Sequence, residues 1–375
     1  MTLTFWLSFG TLLYIYAGYP LLVWGLARLF GREPRKADIT PAVSLLLPVY
    51  NEEAYIEQKL RNSLALDYPK DKLEIVVASD GSTDRTNALV KRFEARGVRL
   101  LAVSDNIGKS AVLSRAVPLL RADIVVFSDA TITLAPDAIR RLVRSFADPS
   151  VGAVSAAYRV DPADDLRSQG EGLYWRYESF IKRQESRLHS VIGAHGPCHA
   201  IRKPLFARLE TTQINDDYLI PMRVITQGYR VVYDPEVVVG EHELVSVGGE
   251  FARRRRIAAG NCQQMVALAR LLHPRHGWVA FCFFSHKVLR TLAPAFLICL
   301  LVSSARLPAP GAALALGLQG LFYGSALAGY ACQRRGKTIR WLAPPLYFCL
   351  GNLAMLAGLY RYCFHRHRLV WERAR

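Results

Sequence analysis

Between Val43 and Asp84 the chain reads VSLLLPVYNEEAYIEQKLRNSLALDYPKDKLEIVVASDGSTD. An apolar run, Val43 to Leu47, stops at Pro48. A polar segment follows with Ile56, Leu60 and Leu64 at helical spacing, and a second apolar run, Leu73 to Ala78, ends in Ser79-Asp80-Gly81. Short unbroken apolar runs suit parallel strands buried on both faces, so the stretch predicts strand, helix, strand. In an open α/β sheet, ligands bind beyond the carboxyl ends of the strands. Tyr50, Asn51, Glu52 and Asp80 are therefore expected to line one pocket. Asp80-Gly81-Ser82 is also ordinary turn chemistry, with Asp or Ser capping the next helix, and the triplet alone does not choose between the two.

The alternation continues. Thr83 to Arg96 reads as a helix, Val98 to Val103 as a strand, Ser110 to Leu120 as a helix and Ile124 to Phe127 as a buried strand ending in Ser128-Asp129-Ala130-Thr131. A helix opened by Pro136 runs to Phe146, with Pro tolerated in a first turn. Such alternation implies a mostly parallel sheet. From Val151 the pattern changes. A strand, Val151 to Val160, precedes a helix rich in aromatic and basic residues, Gln169 to Leu188, and then a glycine-punctuated loop, Ile192 to Ile201. Asn215-Asp216-Asp217 opens a helix from Tyr218 to Gln227, with Asn215 as its expected cap, and Tyr229 to Val239 reads as a strand.

Apolar residues crowd both ends of the chain. Thr2 to Ala27 carries no charge and is long enough to cross a hydrocarbon core of about 30 Å. Arg28, Arg32, Arg35 and Lys36 follow it, so the positive-inside rule places the next domain in the cytoplasm and the chain in the inner membrane. Gly249 to Leu272 reads as a basic amphipathic helix suited to the membrane interface. Gly277 to Thr291 is apolar but interrupted by His286, Lys287 and Arg290. Thr291 to Ala305, Leu307 to Cys332 and Trp341 to Tyr360 complete a count of four spans. Four spans put the tail RYCFHRHRLVWERAR outside, whereas its charge asks for the inside. One segment, Thr291 to Ala305 or Trp341 to Tyr360, is then re-entrant or interfacial. The net charge of +17 raises nucleic acid as a partner. The basic residues cluster beside the apolar spans, which fits anionic headgroups instead. Seven scattered cysteines without a CxxC pair argue against a disulfide scaffold or a zinc site.

PVYNEE followed by SDGSTD resembles the nucleotide-binding half of the family 2 glycosyltransferases, which have the GT-A fold. The resemblance extends over roughly Val43 to Gly260. It implies a Rossmann-like α/β cytoplasmic domain with a mostly parallel sheet at 42–245. An amino-terminal membrane helix at 1–30, interfacial helices at 248–290, membrane helices at 291–363 and a basic tail at 364–375 would accompany it. The layout is similar to that of cellulose, hyaluronan and poly-N-acetylglucosamine synthases. The resemblance makes Asp80 a contact to the base or ribose of a nucleotide sugar, most simply a UDP-sugar, with Tyr50 and Glu52 beside it and Lys109 as a further nucleotide contact. A solvent-facing loop lysine is the other reading of Lys109.

The family's Asp-x-Asp binds Mg²⁺ or Mn²⁺ on the diphosphate. Here it reads Asp129-Ala130-Thr131, so Asp129 is the one carboxylate left for a divalent cation, with His195 and His242 as further candidates. The Thr-Glu-Asp motif falls on Asn215-Asp216-Asp217, which makes Asp217 the catalytic base. Two adjacent carboxylates repel when ionised, which raises a pKa. The Gln-x-x-Arg-Trp motif falls on Arg253-Arg254-Arg255-Arg256-Ile257. It keeps its arginine as Arg256, for the leaving diphosphate, and loses its tryptophan. His195, Gly196 and Cys198 lie where the family has its acceptor loop. The implied activity is inverting transfer of a sugar to a polysaccharide, with a membrane lipid as the alternative acceptor and a non-catalytic nucleotide sensor as the alternative role.

Overall fold

The sheet has eight strands, β1 (Val43–Val49), β2 (Leu73–Asp80), β3 (Val98–Val103), β4 (Ile124–Ser128), β5 (Ile132–Leu134), β6 (Val151–Tyr158), β7 (Cys198–Arg202) and β8 (Arg230–Glu241). Their order is β3-β2-β1-β4-β7-β6-β8-β5. The computed structural model describes residues 1–158, 166–194, 196–241, 247–337 and 339–364. Every residue of β1, β4 and β6 is buried, as their unbroken apolar runs require of strands covered on both faces. The first four strands pair in parallel, as do β6 and β8.

The expected loop over Ile192 to Ile201 is half wrong. Its second part enters the sheet as β7, antiparallel to both β4 and β6, with Val125 opposite Ile201 and Val154 opposite Ala200. The alternation that marks a strand is only five residues long there, and Gly193 and Gly196 precede it, which hid it. This strand joins the nucleotide half of the sheet to the β6–β8 half and fixes the loop before it beside the carboxyl end of β4.

Four helices are long and apolar enough to cross a membrane: Thr2–Phe30, Trp278–Ser304, Gly311–Arg334 and Arg340–Phe364. The second corrects the expected boundary at residue 291. Helix runs without a break from Trp278 to Ser304, through a π-helical segment, Phe283–Val288. His286, Lys287 and Arg290 do not interrupt it because they meet carboxylates of the helix Leu166–Leu188. His286 lies between Glu178 (3.2 Å) and Glu185 (2.7 Å), and Arg290 reaches Glu178 at 2.9 Å.

The last helix runs beside the basic helix Val247–Ala267. An added side chain at Gly351 would meet Arg254 and one at Gly358 would meet Ala258 and Ala259. It therefore packs against a helix of the catalytic half along much of its length. The tail beyond residue 364 lies outside the described residues.

Candidate functional site

The carboxyl end of β1 turns at Asn51, which holds a left-handed φ of 55°, a conformation Asn tolerates better than most residues. The turn presents the Asn51 side-chain oxygen to the backbone amide of Thr83 at 2.8 Å, while the amide of Glu52 donates to Thr86 Oγ1 at 2.8 Å. The two sequence motifs, VYNEE and SDGSTD, are thus clasped to each other. Tyr50 and Glu52 sit half-buried on this clasp.

Asp80 ends β2 and is fully buried. Its carboxylate accepts hydrogen bonds from the backbone amides of Ile107 (2.8 Å) and Gly108 (2.9 Å). Burial raises its pKa, against the pull of those two hydrogen bonds. These bonds anchor the loop that leads into the helix Lys109–Ala116.

Lys109 opens that helix and is no solvent-facing lysine. Its ammonium lies 3.0 Å from Asp129 Oδ1 and 3.4 Å from Asp216 Oδ2. Burial opposes its charge, but Asp129 and Asp216 outweigh burial and raise its pKa. Asp129 stands just past the end of β4. The turn beneath it is held by Lys59, itself buried, whose ammonium donates to Ser128 Oγ (2.8 Å) and the Ile132 carbonyl (2.7 Å). Burial pushes the Lys59 pKa down to about 8, against Cys198 and Asp129.

Asp216 and Asp217 occupy the first turn of the helix Asp216–Thr226. Carboxylates are favoured there by the helix dipole. Asp217 is half-buried. Burial and the neighbouring Asp216 carboxylate push its pKa up to about 6, against Lys109 and Lys182. The Asp216 pKa is raised by burial, against Lys109 and with Asp129. Asn215 precedes the helix but its side chain does not cap it. That amide is turned the other way, donating to the Ile257 carbonyl (3.1 Å) and Asn261 Oδ1 (3.3 Å).

Gln264 Nε2 donates to the Asn215 carbonyl at 2.8 Å, and the absence of a side chain at Gly260 makes room for Asn215. These contacts dock the helix Val247–Ala267 onto the Asp217 helix and set Arg256 within electrostatic reach of Asp217, Asp216 and Asp129. Those three carboxylates raise its pKa, against the larger effects of burial and Arg253 that lower it.

The acceptor-loop residues divide. An added Cβ at Gly196 would lie 2.7 Å from Asp217 Oδ2, so the loop backbone walls the carboxylate. Cys198 is buried in β7 opposite Ser128, with its pKa pushed up to about 12 by burial; it is a core residue, not an exposed contact. His195 and His242 lie outside the described residues. Among the described residues no group of three His, Cys, Asp or Glu side chains is disposed around a metal position. Asp129, with its side chain 38% exposed, is the hard oxygen donor at the strand end. One carboxylate together with phosphate oxygens and water suits a cation that keeps part of its hydration, as Mg²⁺ does.

Residues that pattern reading missed are also in the site. Lys59 and Lys182 act through backbone carbonyls, Lys59 at Ile132 and Lys182 at Gly193 and Ala194. His199 lies buried under Lys109 and Asp129, stacked on Phe127 at 4.8 Å, and burial lowers its pKa to about 3.

Residues 44–209 match the family model "Glycosyl transferase family 2". The matched segment is a family 2 glycosyltransferase domain. The chain is 27% identical over 229 residues to the poly-beta-1,6-N-acetyl-D-glucosamine synthase of Staphylococcus aureus, and 28% identical over 232 residues to the probable glycosyltransferase YdaM of Bacillus subtilis. The match covers 60% of this chain and 55% of the synthase, so the chain aligns with about half the length of that relative. Among solved structures, the mannosyltransferase PcManGT from Pyrobaculum calidifontis, in complex with GDP-Man and Mn²⁺, superposes with a TM-score of 0.72 at 26% identity. The superposition covers 95% of this chain and 98% of that one. The fold of this chain is therefore GT-A, with apolar helices at both ends.

Proposed function

We propose that this protein is an inverting glycosyltransferase that moves a sugar from a nucleotide sugar to an acceptor hydroxyl at the membrane surface. The observation that carries the reading is the disposition of Asp217. A carboxylate with a pKa near 6 stands in a helix first turn, walled by Gly196, with Lys109 and Arg256 on the same cluster. At neutral pH it is ionised and still basic enough to take a proton, which is the balance general-base catalysis needs.

In the proposed step Asp217 accepts the proton of the acceptor hydroxyl. The oxygen attacks the anomeric carbon from the face opposite the leaving group, and the bond from that carbon to the phosphate oxygen breaks. The nucleoside diphosphate leaves with the bonding pair. Arg256 is placed to hold its phosphates, a guanidinium being matched to phosphate oxygens. Lys109 keeps Asp129 and Asp216 from repelling the incoming diphosphate. Asp129 would hold a divalent cation, which when bound supplies further charge neutralisation at the leaving group; the Mn²⁺ in the mannosyltransferase complex supports this.

The donor we propose is a UDP-sugar and the acceptor a growing polysaccharide, by kinship with the poly-N-acetylglucosamine synthase. The basic run after Phe30 supports a cytoplasmic catalytic face. A second reading, transfer of one sugar to a membrane lipid, is favoured by a cavity of about 970 Å³ between the membrane helices. Its lining includes Leu297, Leu301, Tyr323, Leu327 and Leu353, with Arg254 and Arg334 as its charged members. A panel of UDP- and GDP-sugars, incubated with the protein in membranes with Mg²⁺ or Mn²⁺, tests the reading through nucleoside diphosphate release. Release that stops on chelation and a ladder of products support the polymer reading; a single sugar on extractable lipid supports the second. No release from any donor contradicts both.

A further inference from the structure

Lys182 sits in the carboxyl-terminal third of the helix Leu166–Leu188 and is buried at 3% exposure. Its ammonium meets no carboxylate within ion-pair distance among the described residues. It donates instead to the carbonyls of Gly193 (2.8 Å) and Ala194 (3.4 Å). Those residues shortly precede Gly196, which walls the proposed base. Gly193 has a φ of 85°, and an added Cβ there would lie 2.3 Å from the ring of Tyr218. Gly196 closes on Asp217 Oδ2 as described above. One buried cation thus grips the backbone wrapped around two consecutive residues, Asp217 and Tyr218. Two buried carbonyls directed at an ammonium form a charge-assisted arrangement, stronger than neutral hydrogen bonds.

We propose that Lys182 is a positioning residue for the transfer reaction: it fixes the backbone at Gly193 and Ala194 against Tyr218, beside Asp217. The proposal rests on Asp217 being the base. It also gives the ion cluster behind it a purpose. Glu178 and Glu185, one turn to either side of Lys182 on the same helix, bind His286 and Arg290 of the membrane helix Trp278–Ser304. Tyr19 of the amino-terminal helix donates to Glu185 at 2.6 Å. The membrane helices thereby set the height and rotation of the helix that carries Lys182.

The groups acting on Lys182 are Lys287, which disfavours its charge, and Glu178, Glu185 and Asp217, which favour it. Burial is the largest influence and brings its pKa to about 8. Those acting on Asp217 are Asp216 and Asp129, against Lys109 and Lys182. Removing the Lys182 charge raises the Asp217 pKa, so the acid limb of the rate profile moves to higher pH.

The test is nucleoside diphosphate release by the full-length protein in membranes, measured across pH, for two variants. Lys182→Gln keeps a donor for the carbonyls and removes the charge; Lys182→Met removes both. Both are expected to move the acid limb up by roughly one pH unit with the KM for the nucleotide sugar unchanged, and Met is expected to lower kcat further than Gln. A limb and kcat that match the parent in either variant overturn the proposal.

If both variants fail to fold, Lys287→Met tests the same group. Lys287 is 23% exposed and lies 5.4 Å above the Tyr218 ring. Removing its like charge raises the Lys182 pKa, so the alkaline limb near pH 8 moves upward; an unmoved limb overturns the proposal. A parent protein that releases no diphosphate from any donor contradicts the transferase reading itself, a result distinct from either.

Discussion

Asp80→Asn separates two roles for a carboxylate at the end of β2. The substitution keeps the shape of the side chain. It replaces one of two acceptor oxygens with an NH₂ group, in a site with no solvent exposure. Ile107 and Gly108 both donate to Asp80, at 2.8 and 2.9 Å. After the change one backbone amide faces a donor, and the new NH₂ has no acceptor in the place the oxygen held. Each buried unpaired donor costs about 1–3 kcal/mol, and the pair about 2–4 kcal/mol, allowing for relaxation. At ~1.4 kcal/mol per tenfold, opening of the loop before Lys109 becomes roughly 30- to 700-fold more frequent.

Hydrogen exchange read by mass spectrometry over the peptide containing Ile107 and Gly108 measures that factor directly. The account predicts faster exchange by that amount. The KM for the donor should rise with it, because Lys109 loses its fixed position. Parent-like exchange with a raised donor KM refutes the reasoning and returns Asp80 to a direct nucleotide contact.

Gly196→Ala places a methyl group 2.7 Å from Asp217 Oδ2; displacement of the base should lower kcat by tenfold or more with donor KM unchanged, as steady-state kinetics will show. Asp216→Asn removes the like charge that, after burial, does most to raise the Asp217 pKa. The acid limb of the rate profile near pH 6 should then move down by roughly one unit, and an upward shift would contradict the assignment. Glu185→Ala leaves Tyr19, His286 and the Ile192 amide without their buried acceptor. Breaking such a network should cost about 3–5 kcal/mol, seen as a lowered thermal unfolding midpoint in detergent; an unchanged midpoint would show that the cluster does not hold the membrane helices to the domain.

The strands were legible because parallel strands buried on both faces must be continuously apolar, and Leu45 to Leu47, Val76 to Ala78 and Val125 to Phe127 are all so. The motif ends were legible for the same reason, since polar residues interrupt those runs only where the strands stop. β7 was not, because an antiparallel strand of five residues behind two glycines has too little periodicity to stand out. Asp80 and Cys198 were placed in the right neighbourhood by motif, yet their orientation depends on tertiary packing. One is turned toward the backbone of a loop 27 residues later, the other into the core.

The Asn215 side chain illustrates the same limit, since a favoured cap residue is taken by the helix Val247–Ala267 packed against it. The charges of His286, Lys287 and Arg290 broke the apolar pattern of a membrane helix. Their partners Glu178 and Glu185 lie more than a hundred residues earlier, beyond the reach of any local window. Lys182 was visible as a basic residue on an aromatic helix, but only the fold brings it to Gly193 and Ala194.

The central claim, that Asp217 removes the acceptor proton beside Arg256, is tested most directly by nucleoside diphosphate release from the accepted nucleotide sugar by Asp217→Asn in membranes, alongside its binding of the same donor. The account predicts donor binding close to that of the parent, with transfer lowered at least a hundredfold. Transfer at the parental rate would contradict it.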